Sequence, residues 1–168
     1  MDARMALSRE DNMKVGLPAV CASALIVLLT LGSASFLSAQ MGVGTWVRQP
    51  GSAPGDITMT VEPCCNGGRK LTYHIKIGNV TNVMVVESPF DGKEVPVLLD
   101  GKPSGETMAI KTVDSSHWTV VLKMNGQSFG TSKGEISADG KTINVENNFT
   151  FAAAGQQVGL QKEVWLKK

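Results

Sequence analysis

The chain has 168 residues, 42% of them hydrophobic and 18% charged, with 18 glycines. That is ordinary globular material of about one domain's length, which excludes a disordered or low-complexity chain. Lys and Arg total 16 against 15 Asp and Glu, a net charge of +1, so no field of either sign points to nucleic acid or to an anionic membrane surface.

The first element is N-terminal. Arg4, Arg9 and Lys14 precede an uncharged run, VGLPAVCASALIVLLTLGSASFLSAQ, that is most apolar over Ala22–Leu31 and ends in small residues near Ala39. A basic region, a short apolar stretch and a small-residue cleavage zone predict a secretory signal helix over residues 1–39. The dense apolar part is shorter than the ~20 residues a spanning helix needs, so cleavage is favoured over an uncleaved membrane anchor, and the product is expected to be secreted or periplasmic. Cys21 does not read as a lipidation site, because Val20 before it is larger than such sites want.

Residues 40–168 predict a single all-β domain. Runs rich in Val, Ile, Thr and aromatics alternate polar with apolar residues between Gly, Asn, Asp and Pro clusters, and no segment holds a helical period. The alternation predicts strands near 43–48, 56–62, 69–77, 82–87, 94–98, 106–113, 117–124, 127–137, 142–151 and 158–166. Even spacing and tight turns favour an antiparallel up-and-down meander, closed into a small barrel so that no sheet edge is left open.

The hairpin around EPCCNGGRK (Glu62–Lys70) sets its own register. Ile57, Met59 and Val61 share a face, as do Leu71, Tyr73, Ile75 and Ile77. Facing residues must share a side of the sheet, so the loop needs an odd length, three or five residues, with Gly67 or Gly68 in the left-handed region. Cys64 and Cys65 then lie at the hairpin tip or on its last pair, at one end of the barrel. If Cys21 leaves with the signal, these are the only cysteines of the mature chain, in an oxidising compartment.

Neighbouring Cα atoms are about 3.8 Å apart across a trans peptide or ~2.9 Å across a cis one, below the roughly 4.4–6.8 Å of an ordinary disulfide. A bond between Cys64 and Cys65 would thus be strained and readily reduced. The sequence leaves open whether they are plain turn residues, a vicinal disulfide or an intermolecular pair. A metal site is not supported, since two thiolates need two further ligands and neither His74 nor His117 has the spacing. His74 lies on the polar face with Thr72 and Lys76 and reads as solvated.

Further along, Asn125-Gly126 and Asp139-Gly140 are two-residue turn signals. They predict Leu122 opposite Phe129 and Ile136 opposite Ile143. These two registers disagree by one residue along the shared strand, so a β-bulge is expected at Gly130 or Gly134. In TINVENNFTF (Thr142–Phe151) the residues Ile143, Val145, Phe149 and Phe151 point inward, and Asn147 interrupts the apolar row. Its amide must find hydrogen bonds if buried, either inside a cavity or where the strand leaves the core. Tyr73, Trp118, Leu122, Phe129, Asn147 and Phe149 are the candidate ligand-lining residues, against the alternative of a filled core.

The stretch MGVGTWVRQ, with Gly44 and Trp46 on the first strand, resembles the G-x-W signature of the lipocalin and fatty-acid-binding superfamily of meander barrels. The order GTW, PGSAPG, TMTVEP, a glycine turn, SADGKT and EVWLKK is similar to small uncharacterised lipocalin-like proteins exported by bacteria. The resemblance implies a barrel holding a small apolar or amphipathic molecule, with Gly44 and Trp46 as structural residues and Trp46 closing the base. The joint between the first two strands is too short for a two-helix lid. The Arg-x-Tyr carboxylate site of the intracellular carriers is absent, with Glu163-Val164-Trp165 nearby, so no fatty-acid headgroup site is implied.

Two functions follow as expectations: an exported binding module for a small hydrophobic ligand, or an envelope interaction or inhibitor domain with a packed barrel and an unknown protein partner. No cofactor is expected. Nor is an enzyme, because no nucleophile, base and orienting group assemble and GKPSGE is not a phosphate loop.

Overall fold

The computed structural model describes residues 41–51, 55–152 and 157–168; the segment read as a signal helix, residues 1–39, lies outside the described residues. Ten strands follow in order: β1 (Gly44–Arg48), β2 (Asp56–Cys64), β3 (Gly68–Ile77), β4 (Val80–Ser88), β5 (Asp91–Leu99), β6 (Lys102–Thr112), β7 (His117–Met124), β8 (Gln127–Ile136), β9 (Thr142–Phe149) and β10 (Gly159–Lys167). Each pairs antiparallel with its sequence neighbours, and β1 also pairs with β10, so the meander closes into a barrel. Closure leaves no strand at a free sheet edge.

The hairpin rules explain most of the register. Cys64 pairs with Gly68 and Val61 with Leu71. The loop is therefore the three residues Cys65–Gly67, a single 3-10 turn with Cys65, Asn66 and Gly67 at positive φ. Ile136 faces Ile143 as the Asp139-Gly140 turn requires. Two strands begin earlier than alternation suggests, because Gly78-Asn79 and Asp100-Gly101 are themselves two-residue turns. They set Ile77 opposite Val80 and Leu99 opposite Lys102.

One expected pair is corrected. Leu122 lies opposite Gly130, not Phe129; Lys123 pairs with Ser128, which makes Phe129 the extra residue of the bulge. The slip is absorbed one residue before Gly130 and not at Gly134. Phe129 and Gly130 are consequently both buried, and Gly130 lies under the Phe149 ring, where an added Cβ would fall 2.7 Å from Cδ1.

The strands run between two unlike ends. The end carrying the Cys65–Gly67 turn is the base, and the end carrying Asn125-Gly126 is the mouth. Trp46, Val61, Leu71, Val86 and Ile143 at the base are at most 1% exposed. The Trp46 indole N–H donates to the Gly42 carbonyl at 2.9 Å, which satisfies its polar atom while the ring is buried. Trp118 lies flat over Gly134, its partner across the strands; a Cβ there would stand 2.1 Å from the ring. The outward face carries charged residues, among them the Lys70–Glu87 and Lys162–Glu146 pairs. No helix among the described residues is long and apolar enough to cross a membrane.

Candidate functional site: an interior cavity

Above the packed base the barrel is hollow. A cavity of about 430 Å³ runs from Leu71, Ile110 and Trp118 toward Ile77 and Leu99 at the mouth. That volume falls in the range of small-molecule sites, roughly 300–1,000 Å³. Tyr73, Trp118, Leu122, Phe129, Asn147 and Phe149 all line it. Phe129 and Phe149 stack with centroids 6.2 Å apart, and the Tyr73 ring meets Trp165 edge-on at 6.0 Å. Met41, Met59, Met84, Met108 and Met124 contribute to the wall, and methionine is the side chain that best adapts to an irregular guest.

Asn147 sits inside the barrel, 7% exposed. Its Oδ1 accepts a 2.5 Å hydrogen bond from Ser132 Oγ on the neighbouring strand β8. On its other side Asn147 faces Gln161 of β10, whose Nε2 donates to the Gln157 carbonyl at 2.6 Å while its Oε1 is buried without a partner. Three adjacent strands thus carry a row of amide and hydroxyl groups along one interior wall.

Sequence reasoning missed the charged members of the cavity: Arg48, Glu106 and Glu163. On β10 the usual alternation is inverted. Leu160 and Leu166 are exposed on the outside, at 61% and 40%, whereas Gln161 and Glu163 lie on the inward side with Trp165. The signal was present, since Trp165 fixes the inward parity and the even apolar positions then have to face water. Glu163 pairs with Arg48 at 3.6 Å and accepts from the Trp165 indole N–H at 3.2 Å. Arg48 Nη2 also donates to the Gly55 carbonyl at 2.9 Å.

A bulge lies at the start of β6, just before Glu106. Thr107 pairs with Pro96 and Pro103 with Leu98, so Ser104, Gly105 and Glu106 stand opposite Val97 alone. Gly105 takes φ +82°, and its carbonyl accepts from the Asn125 N–H at 2.9 Å. Ser104 Oγ donates to the Val97 carbonyl at 2.9 Å and accepts from the Glu106 N–H at 3.1 Å. Ser104 and Glu106 face the cavity with Met108 and Ile110, the plain alternation of β6, so the signal for Glu106 was present in the parity of its apolar neighbours. Burial raises the Glu106 carboxyl above its ordinary value. Burial, and then the negative charges of Glu163 and Glu106, push the Tyr73 phenol well up, so it stays protonated.

The remaining residues singled out from sequence lie elsewhere. Gly44, at φ +134°, opens β1 ahead of buried Trp46 at the base. Cys64 and Cys65 form a disulfide in the base turn, half-buried and away from the cavity lining. Arg69 tucks beneath that turn, donating to the carbonyls of Gly67 and Gly68 at 3.3 and 2.7 Å. His74 is exposed on the outer face. His117 contacts Asp114 at 2.8 Å and lies 3.8 Å from Glu135, all on the surface. No group of three or more His, Cys, Asp or Glu residues among those described could hold a metal ion. No family model matches the chain, and no curated protein matches it in sequence.

Proposed function

We propose that the protein is an exported, lipocalin-like carrier that holds a small hydrophobic or amphipathic molecule inside its barrel, and that it acts as a binding module and not as a catalyst. The single observation that carries this reading is the cavity of about 430 Å³, walled by aromatics and methionines and reaching the apolar lip at the mouth. An apolar void of this size exposes surface whose contacts a guest would complete, and its convergent polar groups would orient that guest. The buried Trp46 at the base, behind Gly44, supports the lipocalin-like part of the reading.

The test is native mass spectrometry of gently purified protein, followed by solvent extraction. An adduct that extraction removes is the expected result. A bare polypeptide mass under every mild condition, with no uptake of any added amphiphile, would overturn the reading.

A second reading is an envelope docking domain, favoured by the exposed apolar lip at the mouth, where Ile77, Val80 and Leu99 are 51%, 59% and 40% exposed. Cross-linking through cysteines placed on that lip, done in the native compartment, separates the two: a specific protein adduct favours docking.

A further inference from the structure

The interior is not charge-neutral. Arg48, Glu106 and Glu163 are the ionisable groups of formal charge on the cavity wall, one cation against two anions. The cation is committed, because Arg48 pairs with Glu163 and donates to Gly55. Glu163 is committed as well, to Arg48 and to the Trp165 indole. Glu106 is left over: no described residue hydrogen-bonds or ion-pairs with its carboxylate. It faces inward on the same side of β6 as Met108 and Ile110, near the mouth, where it pairs in register with Met124.

Glu106 is half-buried, so its carboxylate gives up part of its hydration without a protein partner in return. A ligand bearing a cation would offset that loss, and a ligand bearing a carboxylate would compound it by like-charge repulsion. The aromatic faces of the same wall favour cations too.

We propose that the cavity takes a cationic amphiphile, its ammonium group paired with Glu106 near the mouth and its apolar body lying toward Trp118 and the methionines below. The proposal rests on the carrier reading above and narrows it to one ligand class. Tyr73, whose phenol is held protonated, and the Asn147–Ser132 pair are the neutral polar groups available to the head or to its substituents.

The experiment uses three probes of equal chain length, decylamine, 1-decanol and decanoate, titrated calorimetrically into the intact protein at pH 7.5 and below their aggregation thresholds. A charge-assisted contact predicts that decylamine binds about 10- to 100-fold more tightly than 1-decanol, with decanoate weakest. In E106Q the preference for the amine over the alcohol should collapse toward unity, chiefly through a loss of decylamine affinity. A second measurement needs no variant: in the unmodified protein the amine-to-alcohol ratio should fall as pH drops through the Glu106 titration, because only the ionised carboxylate pairs with ammonium.

The other charged groups near Glu106 do not mimic this effect. Arg48 and Glu163 across the cavity are paired with each other, Tyr73 stays neutral, Glu94 and Lys123 on the flanking strands pair on the outer face, and Lys102 is exposed at the start of β6. Amine and alcohol binding equally at every pH, or decanoate binding best, would overturn the cationic assignment while leaving the carrier reading intact. Failure of all three probes to bind would overturn both.

Discussion

At the base of the barrel, Trp46 and Trp118 fill space to contact with Gly42 and Gly134, whereas the wall nearer the mouth is built from Met84, Met108, Met124 and paired phenylalanines around a void. The base is a steric interlock in which flat indoles are accommodated by missing Cβ atoms, and that arrangement has one solution. The upper wall uses unbranched thioethers with several rotatable bonds, which have many. The difference teaches where stability and adaptability have been placed: the fixed half defines the barrel, and the adjustable half is free to fit a guest.

The contrast can be broken by mutation. Trp46→Ala should cost about 3–5 kcal/mol, since it opens a hole in fully packed surroundings, measured by denaturant unfolding. Gly134→Ala should cost roughly 1–3 kcal/mol through overpacking, because the new methyl meets the rigid Trp118 ring at 2.1 Å. Met84→Ala, on a wall that already borders empty space, should cost only about 1 kcal/mol. Equal losses for Trp46→Ala and Met84→Ala would erase the distinction between the two halves.

The smallest effect lies outside both halves, at the surface turn before β7. Hydrogen bonding to Asp114 raises His117 above its ordinary pKa. Hydrogen bonds from the Ser116 backbone and from His117 hold Asp114 down at about 2. The His117 contribution to stability is present below its unfolded value and lost as pH rises through the folded one. The Asp114 contribution is present above its unfolded value and lost as pH falls toward about 2. The pair therefore helps most between about pH 4 and 6.5. Asp114→Asn should bring the imidazole back toward its ordinary value, read by NMR titration, with part of the rise retained through Glu135.

Much of the barrel was legible because side-chain parity and turn length constrain each other. Val61 and Leu71 had to face one another, which forced an odd loop at Cys65–Gly67, and the Asp139-Gly140 turn fixed Ile136 against Ile143. The bulge on β8 was legible in existence but not in place. Two turns fix the ends of a strand, whereas the residue that absorbs the mismatch is chosen by packing, here Phe129 moving in beside Gly130 beneath Phe149.

The apolar lining could be read from alternation, Tyr73 and Trp118 among it. Glu106 was readable in the same way, from the parity of Met108 and Ile110 on β6, once a carboxylate is allowed on the inward face. Glu163 was readable in principle from the parity of Trp165, but only by accepting that Leu160 and Leu166 face water.

The sealed base has a consequence for traffic. If the cavity holds a guest as proposed, the buried Trp46 and its neighbours leave no room at the base, and the guest passes Ile77 and Leu99 both on its way in and on its way out. On that reading the tempo of release belongs to the lip rather than to the depth of the chamber.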